Sequence, residues 1–403
     1  MRVSRPFILQ LLVAACLWAS PALALTPQEE LGKSIFFDQT LSINSNQSCA
    51  SCHSPHAGWT GGDSAVNSHG AVYEGSIPGR FGNRKPPSAA YATQSPILHR
   101  TTQGAFVGGN FWDGRATGEK LGIPAADQAQ GPFLNPLEQA LASPADVIGR
   151  ICISDYGDTF LEVCGSEACV PTNVNVSYDC VGYAVAAYEG STEVNQFSSK
   201  FDAVMAGKAK LTKQEQQGLG LFSGKARCSK CHTVAPRGKS SLFTDYSYDN
   251  VGLPKNPENP FYSMTDFNPD GAAWIDDGLG GFLSSRPDYA AMARENYGKH
   301  KVPTLRNVDK WALLPGEKVK AYGHNGYFKT LTGIVHYYNT RDVLTVCPGD
   351  YTEAEALAAS CWPLPENALN METSLLGNLG LTDKEEAALV AFLATLSDGY
   401  YTP

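Results

Sequence analysis

Past its first two dozen residues the chain has no apolar run near the roughly 20 residues that a membrane-spanning helix needs, so it offers no spanning segment. It also lacks a basic excess: 31 Lys and Arg stand against 40 Asp and Glu, for a net charge of −9. That balance argues against nucleic acid and anionic membrane as partners and is compatible with a basic or neutral protein. Methionine is scarce. Beyond Met1 there are only Met205, Met264, Met292 and Met371, so few thioethers are on offer to a metal. Glycine (39) and proline (25) are plentiful instead, which suggests many loops around helices.

Four of the eleven cysteines lie in two short motifs, CASCH at Cys49 to His53 and CSKCH at Cys228 to His232. Cys-x-x-Cys-His is the attachment signature of c-type haem. The two thiols form thioethers to the haem and the adjacent imidazole becomes an iron ligand. The alternative is one zinc site split into two Cys-x-x-Cys halves, but each half brings its own His in the haem position. Two covalently bound haems are therefore expected, one on Cys49, Cys52 and His53 and one on Cys228, Cys231 and His232.

Residues 1–24 carry Arg2 and Arg5, then an apolar stretch, then Ala-Leu-Ala, the pattern of a secretory signal peptide. Losing the two arginines takes the net charge from −9 to −11. The expected location is the periplasm, where c-type haem is attached, or the cell surface after further export. Cys16 leaves with the peptide, and six cysteines remain: Cys152, Cys164, Cys169, Cys180, Cys347 and Cys361. In an oxidising compartment they are expected in disulfides. The first four can pair in three ways; Cys347 with Cys361 is the natural local pair.

The chain carries a weak internal repeat. Thr26-Pro-Gln-Glu29 and Thr212-Lys-Gln-Glu215 are both capping boxes, in which Thr hydroxyl and Glu carboxylate satisfy free backbone N–H groups at a helix start. Each is followed at equal offsets by a Gly (Gly32, Gly218), an aliphatic (Ile35, Leu221), a Phe (Phe36, Phe222) and then a haem motif. A third box, Thr382 to Glu385, opens an amphipathic helix expected to pack on the second haem. The predicted fold is mainly α: two cytochrome c-like helical domains with long loops, one covalent haem each, over 25–205 and 206–403. Residues 236–301 have poor periodicity and read as a long ordered loop region, a candidate surface for a partner.

Four further motifs occur in a fixed order: FWDGR (111–115), QAQGPFLNPLEQA (128–140), VPTLRNV (302–308) and HNGYFKTL (324–331). Together with the haem motifs they resemble the bacterial dihaem cytochrome c peroxidase superfamily, MauG-like enzymes included, over nearly the whole mature chain. The resemblance implies that the N-terminal haem reacts with hydrogen peroxide, with Gln128 and Glu138 on its open side. A carboxylate there can take a proton from the near peroxide oxygen and deliver it to the far one. It implies that Trp112 lies between the haems and passes electrons or holds an oxidising equivalent. It also implies a calcium ion between the haems, on the Asn83 side chain and the carbonyls of Val319 and Ala321, hard oxygens of the kind calcium takes. His69 lies near where some family members place a His that caps the first haem, in a loop of different wording, so a surface His is the alternative. The Trp that MauG-like enzymes carry two residues before the second haem motif is Ala226 here.

In the electron-donating members of that superfamily a Met fourteen residues after the His of the HNG-type motif is the second haem's distal ligand. Counting from His324 reaches Tyr338, where MauG-like enzymes place a Tyr. Phenolate favours ferric and higher iron whereas thioether favours ferrous. A Tyr338 ligand would make the second haem a store of oxidising equivalents. A core phenol, with Met264 or Met292 as ligand, is the alternative. The segments 66–92 and 278–308 look most like the methanobactin-associated branch of the MauG-like group, whose members are thought to oxidise a partner protein's tryptophan to kynurenine with peroxide. The leading reading is such an enzyme, oxidising a partner protein side chain by long-range electron transfer. The rivals are a peroxidase fed by a small redox protein and a non-catalytic dihaem electron carrier.

Overall fold

A computed structural model describes residues 24–236, 238–313, 318–401 and 403. All but the last residue of the proposed signal peptide lies outside the described residues. The helices longer than one turn are α1 (Pro27–Phe37), α2 (Pro124–Leu134), α3 (Pro144–Cys152), α4 (Gly157–Cys164), α5 (Val174–Gly190), α6 (Lys200–Met205), α7 (Lys213–Ser223), α8 (Gly278–Ser284), α9 (Leu331–Thr340), α10 (Glu353–Ala359) and α11 (Asp383–Ala394). Strands among the described residues are two-residue pairs only, so the fold is mainly α, as expected.

All three capping boxes form: Thr26 with Glu29, Thr212 with Glu215 and Thr382 with Glu385. Two more, Ser199 with Asp202 and Thr352 with Glu355, start α6 and α10. The repeat has a packing reason. In the first half α1 lies against α5, and in the second α7 lies against α11. A Cβ on Gly32 would stand 1.8 Å from the Ala184 carbonyl oxygen, and one on Gly218 would stand 2.0 Å from that of Ala388. Each helix pair thus touches backbone to backbone at its glycine, and Phe36 and Phe222 pack beside the crossings, fully buried. Neither neighbour is a flexible side-chain end, so Gly218→Ala must push the helices apart. We expect a loss of roughly 1–3 kcal/mol, read as a lower denaturant midpoint with unchanged slope.

One large core cluster draws its buried residues from Leu31 to Val194 and a second from Phe201 to Leu396. A fully buried Arg306 ties the halves together. Its guanidinium meets Asp202, and Asp398 at 3.1 Å. Asp398 in turn accepts from Tyr91 Oη at 2.6 Å and Asn307 Nδ2 at 3.0 Å. This is the structural use of the RN in VPTLRNV. The disulfides are Cys152–Cys169, Cys164–Cys180 and Cys347–Cys361, which resolves the pairing the spacing left open. Among the described residues the free cysteines are the four of the two haem motifs. The described residues between 236 and 301 form an ordered loop region, broken by short 3₁₀ turns and by α8.

Candidate functional site: two pockets and the wall between them

Each Cys-x-x-Cys-His motif opens into its own cavity. Cys49, Cys52 and His53 line the first, of ≈ 210 Å³, and Cys228, Cys231 and His232 line the second, of ≈ 250 Å³. The four thiols therefore cannot gather on one zinc ion. Each imidazole is fixed from behind by a carbonyl, His53 Nδ1 to Trp59 O at 3.1 Å and His232 Nδ1 to Phe243 O at 2.8 Å. That is the contact that sets the tautomer and turns Nε2 outward as a ligand. Burial lowers the proton affinity of both rings, which keeps them neutral and ligating. Two thiols beside one back-bonded imidazole, in a cavity walled mainly by apolar side chains, fit a c-type haem in both halves.

The first cavity also receives Gln128, Glu138, Arg115 and Trp112. Gln128 comes from α2, and Glu138 from the turn after it, where its backbone carbonyl takes the Ser76 N–H at 2.7 Å. Burial raises the Glu138 carboxyl above its ordinary value, opposed by the Arg115 guanidinium and the Asn135 amide. A raised carboxyl facing a cavity is suited to holding and releasing a proton there.

Trp112 stands in the wall and lines both cavities. Its Nε1 donates to the Lys85 carbonyl at 2.8 Å and its own carbonyl accepts from Lys301 N at 2.8 Å, so the indole is clamped from both sides. The wall also holds an ion chain that sequence reasoning missed. Arg115 meets Asp113 at 2.8 Å, Asp113 meets Arg84 at 2.5 Å, and Arg84 holds Asp276 with two bonds of 2.6 Å. Beyond Asp276 lie His300 and His324. Arg84 and Asp276 are 192 residues apart, and no local spacing announces such a pair.

The two tyrosines of HYYN are separated by helical geometry, since neighbours on a helix point about 100° apart. Tyr337 is the core phenol: its hydroxyl bonds the Gly252 carbonyl and its ring packs on Phe328 and Trp362. Tyr338 lines the second cavity with the haem motif, and its hydroxyl has no hydrogen bond among the described residues. Among the described residues no methionine lines that cavity. Met264 instead takes the Phe81 N–H at 3.2 Å, and Met292 packs among Phe106 and Tyr289.

His69 does not line the first cavity; its exposed ring bonds Glu258 at 2.9 Å. Of the three residues expected to hold calcium, Asn83 lines the first cavity, Ala321 the second, and the Val319 carbonyl accepts from Asn67 at 2.9 Å. Their oxygens are hard donors drawn from both halves.

Residues 26–210 match the family described as di-haem cytochrome c peroxidase. The methylamine utilization protein MauG of Paracoccus denitrificans is 34% identical over 93% of this chain and 89% of its own. Cytochrome c551 peroxidase of Nitrosomonas europaea is 30% identical over 77% of this chain and 73% of its own. Among solved structures, the diheme peroxidase BthA of Burkholderia thailandensis superposes with a TM-score of 0.73 at 31% identity, over 94% of this chain and 88% of that one. A MauG-like protein associated with microbial copper homeostasis shares the fold, at a TM-score of 0.63 and 23% identity, over 94% of each chain.

Proposed function

On the premise that this chain belongs to the di-haem cytochrome c peroxidase family and is a dihaem peroxidase-type oxidoreductase, we propose that it uses hydrogen peroxide to oxidise a side chain of a partner protein in the periplasm, a tryptophan taken to kynurenine. The observation that carries this reading is Tyr338 facing the second cavity, with no methionine among the residues that line it. A hard anionic oxygen favours the more oxidised forms of an iron centre, as an oxidant of proteins requires. When bound, the haems supply the iron that meets peroxide and the redox centres that hold oxidising equivalents.

The chain's own residues do the rest. Glu138 moves a proton between the two peroxide oxygens, and Gln128 shares its side of the first cavity. Trp112 gives electrons a bonded, buried path through the wall. A folded protein cannot enter cavities of ≈ 210 and ≈ 250 Å³, so the partner is oxidised from the surface through that path. The similarity to MauG, at 34% identity, supports the reading, and the cytochrome c551 peroxidase relative represents the rival in which a small redox protein supplies the electrons.

The test incubates the haem-loaded protein with peroxide and periplasmic proteins from its own source, and searches their peptides for kynurenine by mass spectrometry. Kynurenine should appear at a defined tryptophan of one partner and fall at least tenfold with Trp112→Phe. Peroxide turnover that proceeds only when a reduced cytochrome or copper protein is supplied, with no modified peptide, contradicts the reading.

A further inference from the structure

His300 and His324 have no part in the chemistry above, yet both line the second cavity. Their rings lie face to face, centroids 3.5 Å apart and planes within 7°. His300 Nδ1 is held by the Gly298 carbonyl at 3.1 Å. Both Nε2 atoms are buried without a hydrogen-bond partner, a costly state for a polar group.

Charged groups face the pair from three elements. Asp276 Oδ2 is 3.3 Å from His300 Nε2 and 3.9 Å from His324 Nε2, and Glu366 Oε2 is 3.4 Å from His324 Nε2. Arg84 stands behind Asp276, with Asp113 and Arg115 beyond it. Asp277 accepts from Asn367 at 2.9 Å, and the Lys301 ammonium reaches Ser95 and Asn110 instead.

The charges of this chain do not cancel. The guanidinium groups of Arg84 and Arg115 pair with Asp113 and Asp276, and Glu366 is a third carboxylate with no guanidinium on it, leaving one negative charge in a buried place. Glu366 is the carboxylate left over, since it accepts only from neutral donors, Asn325 Nδ2 at 3.2 Å and the Asp276 N–H at 3.3 Å. A buried charge requires a partner. Burial and the neighbouring ring lower the proton affinity of His300 and Asp276 opposes them; one proton on the stacked rings meets the charge of Glu366, whereas two would set like charges 3.5 Å apart.

We infer that His300 and His324 share one proton and release it when the second haem loses an electron, so that the stacked pair is the proton-coupling site for electron transfer through that pocket. The balance is one for one. The haem gives one electron to the oxidant and gains one positive charge; the pair gives one proton to solvent and loses one. Reduction runs both in reverse. This rests on the haem reading of the second pocket and is independent of the peroxide reaction and of any partner.

The test is a potentiometric titration of the second haem in the loaded protein at a series of pH values, with neither peroxide nor partner present. The wild-type potential should fall towards about 59 mV per pH unit, the constant for one proton per electron, across the range in which the pair titrates. His300→Gln and His324→Gln, which keep polar bulk without a titrating ring, should flatten that slope. Glu366→Gln removes the negative charge that holds the proton and should move the sloping region to lower pH. A wild-type potential independent of pH, or a slope that survives both histidine substitutions, overturns the inference. If neither histidine variant takes up haem, Glu366→Gln decides alone, and an unmoved sloping region overturns it.

Discussion

Glu138→Gln should slow the reaction of the oxidised protein with hydrogen peroxide by about 10²–10⁴-fold, the usual range for removal of a positioned acid–base group. Haem content and the optical spectrum should hardly change. Gln is nearly isosteric and occupies the same turn after α2, so the cavity keeps its shape while losing the group that accepts a proton. The pH dependence follows from the direction in which burial pushes this carboxyl. Its value is raised, and the first proton transfer needs the ionised form. The wild-type rate should therefore fall as pH drops through a value above that of an ordinary glutamate, and the inflection should vanish in Glu138→Gln. Stopped-flow traces at a series of pH values read both effects. A rate that keeps its inflection in the variant would move the proton-carrying role elsewhere.

Tyr338→Met should produce the largest redox change. The axial ligand is the strongest lever a protein has on haem potential, spanning about 0.8 V across ligand types. Replacing a phenolate by a thioether should raise the second haem's potential by hundreds of millivolts, because thioether favours the reduced iron. The variant should then need prior reduction before peroxide produces any lasting change, the behaviour of an electron-fed peroxidase. Spectroelectrochemistry of wild type and variant side by side checks the shift. An unchanged potential would mean that Tyr338 faces the cavity without binding iron.

Much of this site was legible in the sequence because its parts are local. Each haem motif is five residues long, and each lines a separate cavity as the two-haem reading requires. The repeat of Gly32 and Gly218 was visible as equal spacing, and its cause, a backbone-to-backbone crossing, became visible only with the partner helices in place. Tyr338 was reached by counting, and the helix then separated it from Tyr337. The ion chain from Arg115 to Glu366 was not legible. Its members come from the FWDGR segment, the loop before Lys85, the irregular region after Pro236 and the segment before α11, and only tertiary packing brings them together. The motif pointing to His324 fixed its position without revealing His300 stacked on it. The pairing of Cys152, Cys164, Cys169 and Cys180 was open for the same reason: it depends on how α3 and α4 lie against α5.

The most direct test of the central claim is electron paramagnetic resonance of the fully oxidised, haem-loaded protein before and after one equivalent of hydrogen peroxide, with no reductant. We predict one high-spin and one low-spin ferric signal at the start, both collapsing together into a long-lived state, the result expected if the two pockets act as one oxidant through the wall in which Trp112 stands. Signals that persist until the second haem is first reduced would contradict this, and would place the protein with the peroxidases that draw electrons from a small redox donor.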